Sequence, residues 1–113
     1  MDIRALRYFV EVVDQQSFTK AAVKLHLTQP TVSKMVQQLE TSLGLRLLDR
    51  MGKRFTLTDA GEIVLKRAKE MIALHDEMTV ELQDLQHVER GALRMGLSPS
   101  THLALAPIFA EYH

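Results

Sequence analysis

Phe18-Thr-Lys-Ala-Ala-Val-Lys-Leu-His-Leu-Thr-Gln-Pro-Thr-Val-Ser-Lys34 is the stretch on which the fold turns. Counted from Phe18, apolar residues fall at the fourth, eighth, tenth, fifteenth and eighteenth places: Ala21, Leu25, Leu27, Val32 and Met35. Ala22, at the fifth place, is small enough for a second helix to approach closely. Ser17 caps a short helix whose face carries Phe18, Ala21, Ala22 and Leu25. Thr28 is a natural cap for the next helix, and Pro30 sits in its first turn, where a missing N–H costs nothing. That helix carries Val32, Met35, Val36, Leu39 and Leu43 as its apolar stripe, and Gly44 suits the left-handed conformation that ends it. Together these spacings describe a helix-turn-helix. His26 stands where many such turns have glycine, and histidine is among the residues that tolerate positive φ.

Other small helical bundles share this periodicity, so the exposed face of the second helix has to discriminate. Opposite the Val32, Val36 and Leu39 stripe lie Pro30, Lys34 and Gln37, flanked by Gln29, Thr31, Ser33 and Gln38. They supply amides, hydroxyls and a cation, with no carboxylate before Glu40. A face that meets base edges between phosphates needs that set, whereas a merely solvated face usually mixes Glu with Lys.

Outward toward the N-terminus, Asp2 can cap a helix with Ile3, Leu6, Phe9, Val10 and Val13 on one side, ended by Asp14-Gln15-Gln16. Toward the C-terminus the period changes. Leu45, Leu47 and Leu48, a basic tip Arg50-Met51-Gly52-Lys53-Arg54, and Phe55-Thr56-Leu57 read as a β-hairpin wing. Arg50, Lys53 and Arg54 around Gly52 suit phosphates or a minor groove. Thr58 or Asp59 then caps a fourth helix reaching about Val88, roughly 46 Å long at about 1.5 Å per residue. Along it Val64, Ala68, Met71, His75, Met78, Leu82 and Leu85 recur at alternating spacings of four and three, a heptad seam that a partner helix would bury. The same stripe could instead pack on the chain's own wing domain. The helix outruns a domain of that size, however, so its far end calls for another chain.

Glu89-Arg90-Gly91 reads as a break, Ala92 to Leu97 as a strand, and Ser98-Pro99-Ser100-Thr101 as the opening of a last helix ending in Tyr112. A lone strand and helix close no core, so the chain is expected to stop at the start of an α/β domain. The organisation expected is therefore mainly α: a winged helix-turn-helix over residues 1–58, a linker and dimerisation helix over 59–88, and a hinge with the first strand and helix of a truncated α/β domain over 89–113.

Composition narrows the function. The 113 residues contain no cysteine, which excludes disulfides and thiolate chemistry. His26, His75, His87, His102 and His113 never fall at the spacing of a helical metal pair, so neither a metal nor a cofactor is expected. No Ser/His/Asp grouping, phosphate-cradling glycine loop or paired carboxylates point to an enzyme. Neither a secretory signal nor a membrane span is visible, which makes the cytoplasm the expected location. The formal net charge of zero hides an asymmetry: residues 1–57 carry nine Lys/Arg against five Asp/Glu, and residues 58–88 three against seven. A polyanion would dock on the first half. A helical protein-interaction module that never touches DNA is the main rival.

The stretch from Phe18 to Lys34, with Leu39-Glu40, Leu43-Gly44, Leu47-Leu48-Asp49-Arg50 and Leu57-Thr58-Asp59-Ala60-Gly61, closely resembles the LysR-type transcriptional regulators. Leu6-Arg7-Tyr8-Phe9 and Gly91-Ala-Leu-Arg-Met-Gly96 resemble that family's opening and its entry into the effector domain. Leu48 departs from the phenylalanine more often found there, which concerns packing only. The resemblance implies a regulator that binds interrupted palindromes in double-stranded DNA and responds to a small-molecule inducer. It implies a homodimer through an antiparallel pair of linker helices, and a tetramer at full length. Thr28, Gln29, Pro30, Thr31, Ser33 and Lys34 match the family's DNA-contacting segment, and Arg50, Lys53 and Arg54 its wing. Ser98, Ser100 and Thr101 match a loop that borders the inducer cavity, although a serine there can equally be a helix cap.

Overall fold

In the computed structural model the order of elements is α1 (Ile3–Gln15), α2 (Phe18–Leu25), α3 (Gln29–Leu43), β1 (Leu48–Met51), β2 (Arg54–Leu57) and α4 (Asp59–Arg94). The structure describes residues 1–94, with side chains as far as Val88. The chain divides into a compact unit over residues 1–73, which includes the first turns of α4, and a second unit from Leu74 onward, whose described part is the rest of α4, residues 74–94.

Local chemistry sets each boundary in the first unit. The Asp2 carboxylate accepts the Arg4 amide at 2.8 Å, and α1 ends at Gln16 in the left-handed region with φ 52°. Ser17 Oγ accepts the Lys20 amide at 3.0 Å and so starts α2, which His26 closes at φ 57°. Gly44 closes α3 at φ 69°. Thr28 holds the cap position of α3 but makes no side-chain cap bond; its hydroxyl lies 2.7 Å from that of Thr31. Pro30 removes one of the amides that a capping hydroxyl normally reaches, so the two hydroxyls satisfy each other.

The core gathers Leu6, Phe9 and Val12 from α1, Ala21 and Ala22 from α2, Val32, Val36 and Leu39 from α3, then Leu47, Leu48 and Ala68. Ala21 and Ala22 are 0% and 3% exposed, which is the close helix approach that small residues allow. The buried arc of α1 is rotated from the expected one. Ala5 and Val12 lie inside, while Ile3, Val10 and Val13 line its margin half-buried. Leu48 is fully packed, so leucine fills its place without exposing the core.

The hairpin is shorter than its leucine run predicts, because Leu45 and Leu47 precede the ladder, Leu45 in solvent and Leu47 in the core. Its strands are antiparallel, with Leu48 opposite Leu57, Arg50 opposite Phe55 and Met51 opposite Arg54. Gly52 takes φ 64° at the two-residue turn, the conformation that the first place of a tight hairpin turn demands.

Two expectations for α4 need correcting. It does not break at Glu89-Arg90-Gly91 but continues to Arg94, so Ala92–Arg94 are helical, not the start of a strand. A single glycine costs a helix only about 1 kcal/mol relative to alanine, which its neighbours absorb. The remainder of that expected strand and the helix after it lie outside the described residues. At the other end, Ala68 is 1% exposed in the first unit's own core, and Val64 packs half-buried against it. These two positions of the expected dimer seam are therefore used within the chain, because the first turns of α4 cover the winged unit.

Gly61 makes the tightest contact at that junction. A Cβ there would lie 2.1 Å from the Leu47 carbonyl oxygen and 3.0 Å from its carbon. Around it the Thr58 hydroxyl accepts the Gly61 amide at 3.0 Å and donates to the Arg46 carbonyl, while the Thr58 amide donates to Leu47 O at 3.0 Å. Gly61→Ala should therefore destabilise the domain by about 3 kcal/mol through overpacking against backbone. The thermal midpoint should drop by more than about 10 °C, since 1 kcal/mol moves a domain this small by about 4–8 °C. An unchanged midpoint in a calorimetric scan would show that the helix shifts freely.

Candidate nucleic-acid interface

Helix α3 carries two faces. Val32, Val36 and Leu39 are buried, while Gln29, Pro30, Thr31, Lys34, Gln37 and Gln38 are exposed. Ser33 is half-buried at the edge of that face, so it is the least accessible of the expected contact residues. Thr41 shares the exposed face at helical spacing from Pro30, Lys34 and Gln37, a position the sequence reading passed over. Its hydroxyl is engaged by the Gln37 carbonyl at 3.0 Å, one turn back.

The wing is held beside the start of this helix. An open groove of about 500 Å³ is lined by Gln29 from α3, Phe18 and Thr19 from α2, and Arg50, Lys53 and Arg54 from the hairpin. Lys34, Lys53 and Arg54 form no ion pair with any carboxylate among the described residues. By contrast, Glu11 and Asp14 are matched by Lys24 and Lys69, each at 3.4 Å. The groove thus keeps its positive charge, and its surface offers side-chain donors and acceptors beside it.

Glu40 explains how the wing is fixed, a role that neither its place as the first carboxylate on α3 nor the Leu39-Glu40 of the family pattern reveals. Its Oε2 accepts the amides of Leu47 at 2.8 Å and Leu48 at 3.3 Å, tying α3 to the root of β1. The partly buried carboxylate is thereby turned to the wing root. The signal available in advance was a lone acid on an otherwise acid-free helix, just ahead of a chain reversal that needs its amides satisfied.

Of the other expected site residues, Met71, Met78 and Leu85 on α4 are exposed, and His75 and Leu82 are half-buried. Leu74 and Val88, absent from the expected seam, are each 65% exposed. Within the second unit Leu74, Met78, Glu81, Leu85 and Val88 follow alternating four- and three-residue steps, apolar except at Glu81. Ser98, Ser100 and Thr101 lie outside the described residues. No helix of the described residues is long and apolar enough to cross a membrane. They also contain no group of three or more potential metal ligands.

Three helices, a basic hairpin packed beside the second helix of a helix-turn-helix, and a long following helix define a winged helix-turn-helix module. Residues 3–62 match the family model described as a bacterial regulatory helix-turn-helix protein of the lysR family, and the chain belongs to that family. It is 44% identical over 97 residues to the HTH-type transcriptional regulator BsdA of Bacillus subtilis, covering 85% of this chain and 33% of that one. It is 38% identical over 116 residues to the RuBisCO operon transcriptional regulator of Allochromatium vinosum, covering 100% of this chain and 38% of that one. The chain therefore spans about a third of the length of these relatives. Among solved structures, that of the BenM_DBD/catB site 1 DNA complex superposes with a TM-score of 0.73 at 40% identity, covering 76% of this chain and 97% of that one.

Removing the Glu40 carboxylate leaves two amides at the wing root without their charged acceptor. Glu40→Ala should cost about 2 kcal/mol in urea denaturation, the size of a charge-assisted hydrogen bond, and Glu40→Gln should recover part of the loss. Equal losses for both variants would mean that the carbonyl oxygen of glutamine cannot replace this acceptor, and no loss would mean that the wing root holds without it.

Proposed function

We propose that this chain is the DNA-reading part of a transcriptional regulator, in which α3 enters a major groove and the wing lies along the flanking backbone. The observation that carries this reading is the shared groove: Gln29 at the start of α3 and the three wing cations line one surface. Gln29, Pro30, Thr31, Ser33, Lys34 and Gln37 form the base-reading side, with Thr28 at its entry, and Arg50, Lys53 and Arg54 supply phosphate or minor-groove contacts. The BenM_DBD structure holding DNA supports the reading, since its chain is matched almost end to end.

In the whole protein this role takes more than one copy. Two copies join through the exposed apolar residues of α4 and set two recognition helices on an interrupted palindrome, with tetramers at full length. Residues past α4, including Ser98, Ser100 and Thr101, open a domain that binds a small-molecule inducer. The linker then runs to Arg94, six residues beyond the boundary expected from sequence. No catalysis is assigned to it, and a soluble regulator of this kind works in the cytoplasm.

Duplexes selected from a random pool by the purified protein provide the test. On a selected site Gln29→Ala should weaken binding by about 1–3 kcal/mol while leaving random DNA almost unaffected, because an amide can read adenine through two hydrogen bonds. Lys53→Ala and Arg54→Ala should weaken binding to all sequences and lower the log–log salt slope by about one each. Failure to enrich any sequence would remove the base-reading role, and equal losses on both DNAs would move Gln29 off the bases.

The α4 seam is tested by changing Met78 and Leu85 together to Glu. Four like charges across a two-fold pair resist desolvation, so the dimer should become a monomer whose winged unit keeps its circular dichroism. Affinity for a two-half-site duplex should fall at least about ten-fold as avidity is lost. A surviving dimer in light scattering would place the interface elsewhere.

A further inference from the structure

Phe18 lies at the entrance of α2, yet its ring meets both strands of the wing. The Arg50 guanidinium carbon sits over the ring, 4.5 Å from its centroid. Phe55 meets the same ring in an edge-on arrangement, with centroids 5.6 Å apart and planes at 72°. Arg50 and Phe55 are opposite each other in the hairpin ladder, so their side chains leave the same face of the sheet and close on Phe18 together. Phe18 is only half-buried, and it lines the groove that holds Gln29, Lys53 and Arg54.

A ring differs from a carboxylate as a partner for arginine. It attracts the cation through its quadrupole but brings no net charge and takes no N–H donor in a strong hydrogen bond. Arg50 is therefore restrained without being neutralised, and its fork of donors stays available to a phosphate. A long exposed side chain that is already restrained also loses less rotamer freedom when it binds.

We propose that Phe18 is a positioning residue for DNA binding, holding Arg50 over its ring so that the wing presents an aimed cation to the phosphate backbone. The proposal rests on the DNA-reading role given above. It predicts that affinity follows the electron density of the ring face at position 18, and does so only while Arg50 is present.

The test replaces Phe18 in the full chain by phenylalanines carrying one and then three ring fluorines, which nearly preserve shape while draining the ring face. Binding is measured by fluorescence anisotropy on a selected duplex. Affinity should fall stepwise, reaching about two- to five-fold at three fluorines, the range of an exposed cation–π contact. The series should be flat in an Arg50→Ala background and undiminished in a Lys53→Ala background. Phe18→Tyr, which keeps the ring, should stay near the parent. A flat series in the parent chain, or an equal decline without Arg50, overturns the proposal. If the unsubstituted protein binds no duplex at all, the DNA-reading role itself fails, an outcome distinct from a flat series on a protein that binds.

Discussion

The backbone of α4 approaches that of Leu47 at a distance that only glycine permits, and the position of the wing depends on this contact. Any side chain at residue 61 would occupy the space of the Leu47 carbonyl. From that point the polar groups distribute themselves in one consistent way. Thr58 caps α4 while bonding to Arg46 and Leu47, and Glu40 on α3 takes the next two amides of the same short segment. Residues 46–48 thus bond to α3 on one side and to the start of α4 on the other. The hairpin, which at four residues a strand could not persist alone, inherits its placement from them.

This junction matters for the proposed chemistry because duplex DNA is a demanding shape. A recognition helix and a wing that read adjacent grooves must keep a fixed offset, or the second contact adds ordering cost instead of affinity. Here α3 is seated by Val32, Val36 and Leu39, and the wing is tied to it by Glu40 at the root and by Phe18 near the tip. Three carboxylates of the winged unit are occupied in that framework: Glu40 by amides, Glu11 and Asp14 by lysines.

Much of this was legible in the sequence, for identifiable reasons. Helix limits were readable because they rest on single residues with strong local preferences: Ser17, Gly44, and the polar run ending at Gln16. The exposed face of α3 followed from helical period alone. Packing across elements was not readable in that way. That Ala68 and Val64 turn inward while Met71 and Leu74 stay exposed depends on where the winged unit ends against α4, which no heptad count contains. The pairing of Phe18 with Arg50 joins residues far apart in sequence. Gly61 could be recognised as part of a family pattern, but its necessity appears only once Leu47 is placed against it. The continuation of α4 through Gly91 shows the converse: a glycine in a helical run reads as a stop in sequence, yet the helix passes through it to Arg94.

Native-state amide hydrogen exchange tests most directly whether recognition helix and wing form one rigid surface. The informative amides are those of Leu47, Leu48, Thr58 and Gly61, compared with core amides of α1 and α3 such as Phe9 and Val36. If the junction holds the wing as described, these four should exchange only through the same global opening that exposes the core, with matching free energies and denaturant dependence. Exchange of the four at a common, much lower opening energy, with little denaturant dependence, would mean that the wing detaches while the helices remain folded, and would contradict the account.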